Sequence, residues 1–313
     1  MSKTDFPLRV KTMQGRLFGR PWRLAEAAPP PALSHIVSAI WEYQGPTDPD
    51  IHKIIPSGSA ELMIDLGEGD GYRKAILRPD ISPRKIRLQN LDADRSVLFR
   101  DAMVERGWVV GIHDTPLFLA PARGTDPLRC HIIAAKIFPW GAAEMFGLPA
   151  QALQNLVAPC DEELGWPMAE MRNRLAELRS TEARLSAFAE MIRIKISENA
   201  HAPRKEAVWA AREAARRGGD LRVAEICEAL GVSRKHLGTL FKNTVGLTPK
   251  RFARLMRFRR AVSRLESRNR SGFSRLAIEL GYSDQAHFIH EFTGFAGETP
   301  AEYAAALQAE KAE

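Results

Sequence analysis

Residues 223–249, VAEICEALGVSRKHLGTLFKNTVGLTP, and residues 273–300, FSRLAIELGYSDQAHFIHEFTGFAGETP, are two copies of one pattern. Leu230-Gly231-Val232-Ser233 returns fifty residues later as Leu280-Gly281-Tyr282-Ser283. Gly246-Leu247-Thr248-Pro249 returns fifty-one residues later as Gly297-Glu298-Thr299-Pro300. Each copy opens with a short amphipathic helix: Val223, Ile226 and Leu230 in the first, Phe273, Leu276 and Leu280 in the second. It ends at a glycine free to take the left-handed conformation. A hydrophobic residue fills the turn, and Ser or Asp then caps the next helix by accepting its free N–H groups. In that second helix Leu237 and Phe241, or Phe288 and Phe292, fall four apart and face inward. Gly, then Thr as N-cap and Pro at the first helical position, close each copy.

Helix, tight turn and second helix make a helix-turn-helix, whose second helix fits the DNA major groove. One LGxS motif would be weak support, because many paired helices end this way. Two copies in register are strong support. Between them, Pro249 to Leu265 predicts a helix with Phe252, Leu255, Met256, Val262 and Leu265 for packing. Its roughly 25 Å can hold two reading helices in successive major grooves, about 34 Å apart along a duplex.

Charge points the same way. The chain of 313 residues carries a net charge of +7. Residues 1–200 balance 25 basic against 25 acidic side chains, whereas residues 201–313 carry 20 basic and 13 acidic. Residues 231–265 hold ten Lys or Arg and no acid. Such asymmetry suits a polyanion partner for one part of the chain, with a solvated basic face as the plain alternative.

Toward the N-terminus, the first 50 residues read as irregular, with Pro29-Pro30-Pro31 and a turn-rich Gly45-Pro46-Thr47-Asp48-Pro49. Residues 51–56, 60–67, 108–112 and 131–137 are short β-rich runs, which predict a small barrel or sandwich of antiparallel strands. From about residue 140 the period becomes helical. Met168, Met171, Leu175, Leu178, Leu185, Ala189, Ile192 and Ile196 form a near-heptad stripe broken near Ser180-Thr181. The stripe is either a packing face or a seam between two copies of the chain. Asn199 to Arg204 is the expected linker. The fold class expected is therefore α+β. Residues 1–165 form a β-rich sensor or oligomerisation domain, 166–203 a helical connector and linker, and 204–313 an all-α unit of two helix-turn-helices joined by a long helix.

The C-terminal 110 or so residues resemble the DNA-binding domain of the AraC/XylS family of bacterial transcriptional regulators. The second copy, with GYSDQAHFIHEF followed by G-x-T-P, carries the more specific likeness. IHKIIPSGSAELMIDLG (51–67) and FPWGAAEMFGLPAQAL (138–153) resemble a poorly characterised sensor-like domain that precedes such units. The resemblance implies seven helices and a DNA surface built from Ser233, Arg234, Lys235, Thr239 and Lys242 of the first copy. The second copy adds Ser283, Gln285, Ala286, His287 and His290. On the joining helix, whose outer face is crowded with Arg, Arg254 and Arg257 are candidates for phosphate contact, with plain solvation the alternative. Lys or Arg suits guanine, Gln suits adenine, and a Thr or Ala methyl suits thymine. Two departures stand out: Gly238-Thr239 replaces a longer polar or basic pair, and His290 stands where Arg is frequent. The expected partner is double-stranded DNA. RNA polymerase, a small-molecule effector of unknown identity and a second copy of the chain are further candidates.

Other classes find little in the sequence. His35, His52, His113 and His131 form no pair at metal-ligand spacing, and Cys130, Cys160 and Cys227 form no CxxC. GxSxG, P-loop and Rossmann motifs are absent. A metal-binding or catalytic cupin-like enzyme fused to a DNA-binding unit is the enzyme rival. An RNA-binding or purely architectural protein is the second, disfavoured because the deep, narrow RNA major groove excludes a helix. No cofactor or metal is expected. With no signal-like start and no membrane-length apolar run, a cytoplasmic, nucleoid-associated protein is expected.

Overall fold

The computed structural model describes residues 8–17, 19–46, 52–67, 73–77, 99–103, 107–119, 130–160, 164–199, 204–267 and 272–309. Its strands are β1 (Val10–Leu17), β2 (Arg20–Ala27), β3 (Val37–Gly45), β4 (His52–Ile54), β5 (Ala60–Asp65), β6 (Arg73–Leu77), β7 (Phe99–Met103), β8 (Gly107–Val110), β9 (Leu117–Leu119), β10 (Cys130–Ile137) and β11 (Val157–Pro159). Seven of them form one antiparallel sheet in the order β1-β2-β3-β10-β5-β8-β11, while β4 pairs with β9 and β6 with β7. Central β10, CHIIAAKI, is an apolar run because it is buried on both faces. Its Ile133, Ala135 and Ile137 join Ile40, Leu62, Ile64 and Val109 in the core under the helices. Its Ile132 and Ala134 join Met63, Trp108 and Val110 on the other face.

Among the described residues, 10–45 are not irregular throughout. β1, β2 and β3 occupy residues expected to lack structure, and β1 pairs with β2 from Val10–Ala27 to Leu17–Arg20. The reason is physical: β1, VKTMQGRL, is exposed along nearly its whole length and shows no apolar alternation. Its extended form comes from pairing with β2, which a pattern of buried residues does not report. Nor is the chain purely helical after residue 140. After α1 (Ala142–Phe146) and a 3-10 turn (Ala150–Leu153), β11 pairs with β8, and a three-residue strand is too short to display a period. Ile51 and residues 200–203 of the expected strand and linker lie outside the described residues.

The near-heptad stripe divides into α2 (Met168–Glu177) and α3 (Thr181–Ser197), with Ser180 accepting a hydrogen bond from the Ala183 N–H at the break. Met168, Met171, Leu175, Leu185, Ala189 and Ile192 are all buried in the same core as the sheet. The stripe is therefore a packing face of its own sheet, which removes it as a seam between protomers. One polar tie crosses this core. Glu42 on β3 accepts hydrogen bonds from Arg184 of α3 at 2.8 Å and from Gln44 at 2.6 Å, and lies 2.6 Å from His131. Burial pushes its carboxyl up, but the bonds to His131, Arg184 and Gln44 outweigh that and hold it at about 2.

Seven helices follow among the described residues: α4 (Lys205–Arg216), α5 (Val223–Leu230), α6 (Arg234–Val245), α7 (Pro249–Glu266), α8 (Phe273–Glu279), α9 (Gln285–Ala296) and α10 (Pro300–Ala309). Their core gathers Leu237, Phe241, Phe252, Phe258, Phe288 and Phe292. Phe258 of α7 stacks against Phe295 and tilts against Phe292 of α9, so the joining helix is the spine of this core. Ile112 and Trp140 of the strand-rich part belong to the same cluster.

Candidate nucleic-acid interface

The two copies fold alike. α5, α6 and α9 are capped by Gly231 (φ 63°), Gly246 (φ 87°) and Gly297 (φ 76°), and α8 by Leu280 with Gly281 (φ 77°) after it. A side chain with a Cβ is strained at such angles, which accounts for the four glycines at matching positions. Ser233 caps α6 by accepting from the His236 N–H at 3.2 Å, and Asp284 caps α9 by accepting from the His287 N–H at 2.7 Å. That backbone bond, with the Ser283 hydroxyl, holds the Asp284 carboxyl below its ordinary range. Thr248 caps α7 through the Arg251 N–H, and Thr299 and Glu302 cap each other's turn at α10.

The inward and outward faces of the reading helices separate cleanly. Leu237, Phe241, Phe288 and Phe292 are fully buried. Ser233, Arg234, Lys235, Thr239 and Lys242 on the first unit are exposed, as are Ser283, Gln285, Ala286, His287 and His290 on the second. Their hydrogen bonds differ in what they leave available. The Thr239 hydroxyl donates to the Lys235 carbonyl, and the Ser274 hydroxyl donates to Gln285 Oε1. That bond occupies one lone pair of Gln285 Oε1 and leaves the second lone pair and both amide N–H groups available. Sequence reasoning passed over exposed His236 and Asn243 on α6. Their polar character at outward positions was the available signal.

Arg254 and Arg257 are placed differently from the reading-helix residues. Arg254 Nε donates to Glu291 Oε2 at 2.7 Å, and the Arg257 guanidinium lies over the Tyr282 ring at 5.2 Å. Glu291 is 3% exposed, an acid on the inward side of α9. These residues border a groove of about 460 Å³ between α5, α7 and α9, lined also by Arg222, Lys250, His287 and His290. Arg222, Lys250, Arg254 and Arg257 bring positive charge to a groove whose lining surface is otherwise mostly apolar, with Leu221, Val223 and Ala253 along it. Glu291 aims Arg254 along it, and nothing in the sequence marked that acid.

Among the described residues, no three His, Cys, Asp or Glu side chains converge as metal ligands. His35 faces Glu144, His131 faces Glu42, and His113 is buried, where desolvation pushes its imidazole below the ordinary range. No helix among the described residues is long and apolar enough to cross a membrane.

Comparison with known proteins places this geometry. Residues 211–306 match a family model described as a helix-turn-helix domain. Residues 25–159 match a domain of unknown function, DUF6597. The C-terminal unit is a helix-turn-helix domain. Over 81 residues the chain is 32% identical to the raffinose operon transcriptional regulatory protein RafR of Pediococcus pentosaceus, covering 26% of this chain. The chain spans 29% of that regulator's length. Among solved structures it is similar to the C-terminal domain of AraT, a response regulator from Geobacillus stearothermophilus (TM-score 0.31, 20% identity, 34% of this chain and 88% of that one). It is also similar to ToxT from Vibrio cholerae (TM-score 0.43, 12% identity, 84% of this chain and 96% of that one).

Proposed function

We propose that this chain is a sequence-specific DNA-binding transcriptional regulator whose α6 and α9 read successive major grooves. The observation that carries the reading is the pair of capped helices with buried inner faces and polar outer faces, tied by one long helix. In it Arg234, Lys235, Thr239 and Lys242 of α6, with Gln285, Ala286, His287 and His290 of α9, face base edges. Ser233 and Ser283, at the starts of those helices, lie beside the backbone, and Arg254 and Arg257 hold phosphate in the groove. Residues 204–313 are the DNA-binding unit, 166–203 the connector and 1–165 the sensor or oligomerisation unit. The matched segments 211–306 and 25–159 fall within the first and last of these bounds. A regulator of this kind is not an enzyme. It works in the cytoplasm on the nucleoid, with RNA polymerase and a small-molecule effector as its further partners.

The test is selection of bound sites from a random duplex library with the full chain, followed by titration of one selected site against salt. Affinity should fall steeply as salt rises, because neutralised phosphates release counterions. A folded chain without salt-sensitive duplex affinity rejects the proposal. Equal competition by RNA of the same sequence rejects groove reading.

A further inference from the structure

The strand-rich part of the molecule touches the end of α6, the start of α7 and the turn just after α9. α6 finishes at Gly246, where an added Cβ would lie 2.8 Å from Ile112 and 2.9 Å from the Ala150 carbonyl oxygen. Thr244 and Val245 beside it are buried. One turn into α7, Arg251 donates from Nε to Asp114 Oδ2 and from Nη2 to the Asp114 carbonyl oxygen, both at 2.7 Å. Its guanidinium also lies 4.2 Å from the ring centre of Phe295, near the end of α9. Just past that end, Glu298 forms an ion pair with Lys53 from β4. Asp114 is itself held firmly. Its N–H donates to Asn155 Oδ1 at 3.0 Å, and Asn155 Nδ2 donates back to its Oδ1 at 2.9 Å. Asn155 holds that position at φ 54°, the one non-glycine residue with positive φ among those described.

From these contacts we infer that Asp114 and Lys53 are spacing-determining residues: they fasten the second reading unit to the scaffold on which the first is seated, and so fix the separation of the two half-sites. The inference rests on the DNA-reading function proposed above. Its physical basis is leverage. α7 is 18 residues long, and α9 hangs from it through the Phe258 contacts with Phe292 and Phe295. A small rotation at the Arg251 end therefore displaces the far reading head. One base pair shifts a half-site by about a tenth of the roughly 34 Å helical turn, and turns it by about a tenth of a revolution. A clasp at Asp114–Arg251 and Lys53–Glu298 makes that mismatch costly. Without it, the strand-rich part no longer braces α7, and only the shared core restrains the separation of the two heads.

The experiment uses the full chain and one selected site, with one base pair inserted or removed between the half-sites. The wild type should lose about tenfold or more in affinity for either change. Asp114→Asn combined with Lys53→Met keeps the side-chain shapes and removes both ion pairs. It should bind the native spacing within about threefold of wild type and lose no more than about threefold for either change. Lys53→Glu should relax spacing similarly, and Lys53→Glu with Glu298→Lys should restore strictness, which a purely stabilising contact would not do. An unchanged spacing penalty in the folded variants overturns the inference. So does equal weakening at every spacing. If the double variant does not fold, the Lys53→Glu and rescue pair decides by the same criteria. Absence of DNA affinity in the wild type is a separate outcome and rejects the regulator reading itself.

Discussion

Individual residues divide by what each can distinguish. Lys235 is exposed on α6 and is proposed to read a base edge, whereas Arg254 is held by buried Glu291 beside a groove and is proposed to meet phosphate. Lys235→Ala is expected to cost about 1–3 kcal/mol on the matched site and relax preference at one position. Arg254→Ala is expected to weaken matched and mismatched sites about equally. Binding titrations on both kinds of site check this, and identical specificity profiles would reject the division. Glu42 supplies a stability test far from the DNA. Its carboxyl sits at about 2 in the fold against an ordinary 4.5, so its contribution is complete above about 4.5 and disappears as pH falls toward 2. Arg184→Ala leaves that acid buried without its main cation and should cost about 3–5 kcal/mol at neutral pH. Urea denaturation reads it, and a loss below 1 kcal/mol would show the tie to be dispensable. The outward polar residues were legible because their inward neighbours repeat at helical spacing. Glu291 was not, since an acid four residues after His287 looks like surface until the fold buries it.

Elements repeat the same lesson in their caps and periods. Ser233→Ala removes the acceptor for the His236 N–H and should cost about 1 kcal/mol, seen as a lower thermal midpoint. Ser233→Asp should keep stability near wild type, because it restores an acceptor at the N-cap. Equal loss in both variants would show that the cap is not what the hydroxyl provides. The helices of residues 205–309 could be read from sequence since glycine, cap and apolar spacing agree locally. α2 and α3 were visible as a stripe, but whether that stripe met its own sheet or a second chain was not. β1 was invisible because an exposed strand carries no burial pattern, and β2 buries only small Ala25 and Ala27, a weak apolar signal.

At the scale of the whole molecule, the helical unit does not close its core alone. Ile112 and Trp140 complete it, and the Arg212 guanidinium lies over the Trp140 ring at 5.4 Å. Residues 204–313 expressed alone should therefore melt below the same unit in the full chain, each 1 kcal/mol lost lowering Tm by roughly 4–8 °C. The fragment should keep its base preferences while tolerating changed half-site spacing, as is expected of the Asp114 and Lys53 variants. Calorimetry and the spacing series measure the two effects separately. A fragment as stable and as strict as the full chain would show that the contacts across to the strand-rich part carry neither.

The sequence by itself determined the double helix-turn-helix, its caps, its inward phenylalanines and its basic charge, because each depends on residues within a few turns of one another. It also determined that four runs in the N-terminal half are strands. Tertiary structure alone decided the strand order β1-β2-β3-β10-β5-β8-β11, the burial of the Met168–Ile196 stripe against that sheet, and the meeting of Asp114 with Arg251. Those partners lie 137 residues apart, and pairings at that range follow from how whole faces pack, which no local period records.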